Sequence, residues 1–253
     1  VTLFQPPSQT RYDLVINLGQ IPVRVHPLFW LMALLFGFNS GGIFQLLVWV
    51  VVVFIAILVH ELGHALVILM YGQSSYIILY YFGGLTVPVP SRWGGRSAAA
   101  SFTSNQEILV SLAGPFAGFL MALVIEIIVI AMGGAFSINW LFGFIPIPMV
   151  VLPAAHWIVN SFVTTFLWVS VFWGIINLLP VYPLDGGNVA RHLFLKADPW
   201  GGVKKSLWLS VISGTLIAVI GLVLLKSEYM ALLFGVLAFQ SYQAIQGRTG
   251  PLL

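Results

Sequence analysis

Val59 is followed by His60, Glu61, Leu62, Gly63 and His64, an H-E-x-x-H arrangement set inside a long apolar run. On a helix, positions i and i+4 share one face about a turn apart. Two imidazoles can then hold one Zn²⁺ while the intervening carboxylate sits beside the metal's water, and the chemistry within reach is metal-assisted hydrolysis. Histidine and glutamate are costly at membrane depth and normally face a partner, a cavity or an ion. The competing reading is that the three residues pair with one another to hold helices together. Two imidazoles are too few for a zinc site. With Cys 0, further ligands must be histidine, aspartate or glutamate, and His26, His156, His192, Asp13, Asp185 and Asp198 remain among the histidines and aspartates. Asp185 stands out because it closes the segment Asn177-Leu178-Leu179-Pro180-Val181-Tyr182-Pro183-Leu184-Asp185-Gly186-Gly187 at the end of another apolar run.

The elements that must position these groups are those of a membrane protein. Of 253 residues, 60% are hydrophobic and 7% charged, against about 25% charge in soluble domains. So few charges cannot cover a soluble globule of this size, but a bilayer can cover the apolar surface. A mean hydropathy of +1.02 and the content of Trp 9, Phe 19 and Tyr 8 fit a polytopic protein with aromatic residues near its interfaces. The net charge of +3 does not indicate nucleic acid, since the cations are scattered over loop segments instead of forming a stripe.

Apolar runs at 27–38, 43–71, 107–132, 157–179, 203–225 and 229–245 predict about six transmembrane helices. The first is shorter than the roughly 20 residues a crossing needs, unless 21–25 joins it. Residues 133–156 are apolar but broken by Pro146, Pro148 and Pro153, which predicts an interfacial hairpin or lipid-facing loop. Residues 76–90 have strand composition with Gly83-Gly84 as the turn, and residues 1–25 form an amphipathic or extended lead-in without a signal-peptide layout. The expected fold is an α-helical polytopic membrane protein with a small membrane-associated β-region after the second helix. A lead-in over 1–26 precedes a single transmembrane domain over 27–246, with its core at about 43–200, and a short tail over 247–253.

Cation placement predicts orientation. With six crossings, Arg11, Arg24, Arg92, Arg96, Arg191, Lys196, Lys204, Lys205 and Arg248 share one side against Lys226, so both termini are expected in the cytosol. If the first run does not cross, Arg11 and Arg24 change sides and the orientation of the other spans survives.

H-E-L-G-H together with N-x-x-P-x-x-P-L-D-G-G resembles the site-2 protease family of intramembrane metalloproteases, peptidase family M50, and both motifs match without a gap. The resemblance implies His60, His64 and Asp185 as ligands of one Zn²⁺ and Glu61 as general base. It implies that Asn177, Pro180 and Pro183 shape the cleft and contact the substrate backbone. Phe82-Gly83-Gly84 looks like the family's membrane-associated β-region, where strand addition would hold a substrate, and Ala113-Gly114-Pro115 looks like its third-helix motif. The likeness covers about residues 20–200. It implies hydrolysis of peptide bonds in or near transmembrane segments of a membrane-protein substrate, such as a regulator that restrains a transcription factor. No polar stretch leaves room for an inserted PDZ domain, and the short tail after the last run leads to the expectation of a form without a paired CBS module. Substrate choice is therefore expected from the membrane part, its loops or a separate regulatory membrane partner.

Rival chemistries lack residues. An aspartyl intramembrane protease needs two membrane aspartates, and a rhomboid-type serine protease needs G-x-S-G in a span, where Gly95-Arg96-Ser97-Ala98 is the nearest approach. A membrane zinc or metal transporter or channel would repeat polar residues along a pore, and a helix-binding pseudoprotease would not need intact His60, Glu61, His64 and Asp185. Glu126 is read as snorkelling or as having a supporting role at the site. His26 is read as an interfacial anchor, His192 as a headgroup contact on a short helix, and His156 as too far from the site to replace Asp185.

Overall fold

The computed structural model describes residues 7–38, 41–89, 102–141, 143, 145–153 and 155–247. Strands β1 (Leu14–Leu18) and β2 (Ile21–Val25) are followed by helices α1 (Pro27–Gly37) and α2 (Ile43–Met70), then by strands β3 (Ser74–Tyr80) and β4 (Gly83–Val89). Helix α3 (Ser104–Ala131), strands β5 (Ala135–Leu141) and β6 (Ile145–Val151), and helices α4 (Trp157–Asn177), α5 (Asp185–Ala197), α6 (Gly202–Val223) and α7 (Glu228–Ile245) complete the order. All six apolar runs fold as helices. Helices α2, α3, α4 and α6 are long and apolar enough to cross a membrane. Helix α1, with 11 residues, is about 16 Å long and covers half of a bilayer's hydrocarbon core. Ile21–Val25 cannot extend it, because that segment is strand β2. Helix α7 has 18 residues, but Glu228, Gln240 and Gln243 make it less apolar than the four spans.

The described chain divides into two compact units. One holds β1–β4, α1, α2, β5, β6 and the stretches of α3 and α4 from Ala113 onward and up to Gly174. The other holds the start of α3 up to Leu112, the end of α4 from Ile175, and α5–α7.

In the first unit the lead-in folds as a hairpin and joins the sheet, whose order is β1-β2-β3-β4. Strand β2 runs parallel to β3, with Val23 opposite Ile77. A parallel pair needs a long crossover, and α1 and α2 form it, so the H-E-x-x-H helix is the element that closes the sheet. Val23, Val25, Ile77 and Leu79 pack with Phe29 of α1 and Ile57 and Ala65 of α2. His26 joins the layers: its backbone N–H donates to Leu79 O at 2.9 Å, and its Nδ1 accepts from Leu28 N at 3.2 Å. It is a buried helix cap, so the interfacial-anchor reading is corrected.

Helix ends follow glycine. After α2, Gly72 takes φ +75°; its N–H donates to Leu69 O, and Gln73 N–H donates to Ile68 O, the Schellman arrangement. Gly133, with φ +85°, ends α3 the same way, with Gly134 N–H donating to Val129 O. The proline-broken segment beyond it forms the antiparallel hairpin β5–β6, and Ile147, Met149 and Val150 bury against Ala122 and Val129 of α3 and Leu167 of α4. Arg92, Arg96, Arg248 and the Gly95–Ala98 stretch lie outside the described residues.

Candidate metal centre

His60 and His64 lie one turn apart on α2, both buried, with their Nε2 atoms 3.2 Å from each other. Two nitrogens at about 2.0–2.1 Å from a tetrahedral zinc stand roughly 3.3 Å apart, so the pair fits a shared ion as it stands. Gly114 of α3 makes room for the rings: a Cβ there would overlap Nε2 and Cε1 of His64 and meet Nε2 of His60 at 2.8 Å. Between the two histidines on α2, Gly63 lets the helices touch, since its Cβ position is filled by the Ala113 carbonyl and the Ala117 Cβ. H-E-L-G-H and Ala113-Gly114 are therefore two faces of one contact.

Glu61 points to the sheet. It is buried, and Thr86 Oγ1 of β4 donates to its Oε2 at 2.7 Å while lying 3.0 Å from its backbone oxygen. Gly84 faces the same side chain, and a Cβ there would overlap Glu61 Cγ, Cδ and Oε1. The turn expected at Gly83-Gly84 lies two residues earlier, at Tyr81-Phe82, because Gly83 pairs with Tyr80 and Gly84 with Leu79. Gly83 enters β4 at φ +121°, with Trp173 against its Cβ position. Phe82 sits in the turn among Tyr80 and Tyr81. Burial holds the Tyr80 hydroxyl protonated well above its ordinary range, and the charges of Tyr81 and Glu61 add to the effect.

The second unit carries the other motif. Asn177 is the last residue of α4 and is buried. The chain then folds tightly through Pro180 and Pro183, with Val181 N–H donating to Leu179 O at 2.7 Å and Leu184 N–H donating to Val181 O at 2.8 Å. The Tyr182–Pro183 peptide is cis. Tyr182 N–H donates to Ser210 Oγ of α6 at 3.0 Å, and that hydroxyl donates to Ser206 O. Asp185 is the first residue of α5, where the helix dipole favours a carboxylate. Gly186 and Gly187 are buried against backbone: a Cβ at 186 would overlap Leu178 O, and one at 187 would meet Tyr182 Cα at 2.7 Å. Close backbone approach is thus what this glycine pair supplies.

Among the expected site residues, His60, Glu61, His64, Phe82, Gly83 and Gly84 belong to the first unit, and Asn177, Pro180, Pro183 and Asp185 to the second. Thr86 was not singled out by the sequence, although a strand places residues 84 and 86 on one face. His156 accepts from Ile158 N at the exposed start of α4. His192 is half-buried on α5, and burial, with the Arg191 charge, lowers its pKa. Glu126 is 7% exposed, so it does not snorkel; it shares the α3 face of Ala122 and Val129, under the β5–β6 hairpin.

These features define a helical membrane protein that presents an H-E-x-x-H helix to a small sheet. The sequence matches the profile of Peptidase family M50 over residues 48–219, and the chain belongs to that family. It is 25% identical over 181 residues to a zinc metalloprotease of Methanocaldococcus jannaschii, covering 70% of this chain and 43% of that protein. It is 29% identical over 189 residues to stage IV sporulation protein FB of Bacillus subtilis, covering 71% of this chain and 50% of that protein. The chain thus spans half or less of the length of the curated relatives it matches. The solved site-2 protease from Methanocaldococcus jannaschii shares the fold, with a TM-score of 0.56 at 20% identity over 96% of this chain and 98% of the other.

Proposed function

We propose that the protein is an intramembrane zinc metalloprotease, with His60, His64 and Asp185 holding one Zn²⁺ and Glu61 as general base. The observation that carries the proposal is the convergence of the two Nε2 atoms to 3.2 Å on a membrane-spanning helix, in a chain of a peptidase family. Asp185 supplies the third ligand, an oxygen, in a chain whose lack of cysteine confines the ligands to histidine, aspartate and glutamate. Zinc bound in such a site lowers the pKa of its water toward about 7 and polarises the scissile carbonyl. Glu61 accepts the attacking water's proton and delivers it to the leaving amine.

The substrate is a membrane protein cleaved in or near a transmembrane segment, as in regulated intramembrane proteolysis, with a membrane-bound regulator of transcription as one such target. A helix hides its carbonyls, so the segment must unwind. Strand β4 lies at the edge of the sheet and holds Glu61 through Thr86, which suits it to pair with an unwound segment by strand addition. Phe82, Gly83 and Gly84 line the start of that edge, and Asn177, Pro180 and Pro183 contact the substrate backbone. The two units act as one catalytic domain with its core at about 43–200.

With α1 too short to cross, α7 completes the four long spans, and the C-terminus and the opening of the site lie on the cytosolic side. That side receives seven cations against three.

Elemental analysis of detergent-purified protein tests the metal set. About one zinc per chain is expected, lost or weakened in both His60→Ala and Asp185→Ala. Zinc that survives Asp185→Ala removes the third ligand, and several metals per chain favour transport.

A further inference from the structure

Strand β4 meets Glu61 through two residues of one face. Side chains alternate along a strand, so Gly84 and Thr86 both turn toward α2 while Leu85 between them turns away. Gly84 contributes the lack of a side chain: Glu61 Cγ, Cδ and Oε1 fill the place its Cβ would take. Thr86 contributes a donor, 2.7 Å from Oε2 and 3.0 Å from the Glu61 backbone oxygen. A hydroxyl carries one hydrogen, and the carboxylate oxygen is both nearer and the stronger acceptor. The two carboxylate oxygens of Glu61 are therefore inequivalent, with Oε2 tied to the sheet and Oε1 over a glycine.

We propose that Thr86 is a positioning residue for Glu61, its hydroxyl fixing Oε2 so that Oε1 is the atom that receives the proton during hydrolysis. The inference rests on the protease reading. In the balanced step, one proton passes from water to Oε1 as the oxygen–carbonyl bond forms, and passes on to the nitrogen as the peptide bond breaks. Thr86 keeps its own proton throughout. A β-branched residue of the same shape, such as valine, preserves the strand and the packing but cannot donate.

The test compares the full chain with Thr86→Val and Thr86→Ser in vesicles containing a fluorescence-quenched single-span peptide. Thr86→Val is expected to lower kcat by about tenfold or more, with KM within about twofold and zinc content unchanged, and Thr86→Ser to restore most of the rate. Equal losses in both variants, or a Thr86→Val rate within about twofold of the parent, overturn the proposal.

A second readout needs neither metal nor turnover. In metal-free protein, Thr86→Val is expected to lower the thermal midpoint when Glu61 is present and to have a smaller effect in a Glu61→Ala background, where the backbone oxygen at 3.0 Å is the acceptor left. Equal effects in both backgrounds overturn the hydrogen bond's role. If the parent chain cleaves nothing, the protease reading fails by itself, and the midpoint cycle still decides whether Thr86 fixes Glu61.

Discussion

Gly84 lies against Glu61 so closely that no Cβ fits between the strand and the carboxylate. The neighbouring atoms belong to a side chain that can swing aside, so Gly84→Ala is expected to fold with Glu61 displaced. A misplacement of about 1 Å at a reacting group costs on the order of 10²-fold in rate. Steady-state kinetics with zinc quantified in the same sample checks this: kcat falls steeply and metal content holds. Loss of zinc in step with kcat would show instead that the whole helix moved.

Gly114 has the corresponding relation to the imidazoles. Alanine there meets Nε2 of both His60 and His64, the atoms proposed to bind the metal. Gly114→Ala is expected to weaken zinc binding by about 10- to 100-fold, the cost typical of disturbing ligand orientation, measured by competition with a chelator. Gly118 on the same helix is the control, since a Cβ there finds only Ser170 O at 3.6 Å. Gly118→Ala should bind zinc normally and be slightly more stable, because alanine is the better helix former.

Glu61→Gln separates binding from chemistry. The amide keeps the shape and can still accept from Thr86, but it takes no proton from water. Zinc content is expected to stay at the parent's level while cleavage falls by about 10² to 10⁴, the usual contribution of a general base. Substantial remaining turnover would remove Glu61 from the mechanism.

Much of this was legible because periodicity and glycine state local geometry. The apolar runs marked the helices to within a few residues, with Gly72 and Gly133 as their stops, and Pro146, Pro148 and Pro153 marked a non-helical segment that folds as a hairpin. His60, Glu61 and His64 were visible because their spacing is itself a helix face. What was hidden is long-range. Nothing local in Ile21–Val25 says that it will lie beside Ile77–Leu79, some fifty residues away in a parallel register, and so it reads as lead-in. Thr86 is one polar residue in a strand until the sheet sets it against Glu61. His26 and Glu126 looked interfacial by position along the chain, and burial set by other elements overrode that.

Outside the spans, Asp198 gives the stability a pH dependence of known sign. Lys205 at 2.9 Å and the Gly201 and Trp200 N–H groups hold its carboxyl below the ordinary 3.8. A depressed folded-state pKa adds stability that is present above the unfolded value and lost as pH falls through the folded one. The pair is exposed, so its contribution is small. Asp198→Asn is expected to lower the thermal midpoint slightly at pH 7, with the difference vanishing once the pH is below the folded value. A difference that persists there would assign the effect to packing.

Glu126 makes the opposite prediction, a gain in stability on removal. It is 7% exposed, and its Oε1 has no hydrogen-bond partner among the described residues. Its helix face carries Ala122 and Val129 into a cluster with Ile147, Met149 and Leu167. An orphaned buried polar atom costs about 1–3 kcal/mol, and an apolar side chain of similar length removes that cost while filling the same space. Glu126→Met is expected to raise the thermal midpoint in detergent by a few degrees, at about 2–4 °C per kcal/mol for a chain of this size. Zinc content should not change, since Glu126 lies twelve residues beyond Gly114, about 18 Å along α3. A lower midpoint would mean that the carboxylate has a partner, and disappearance of that loss on removing lipid would identify the partner as a headgroup.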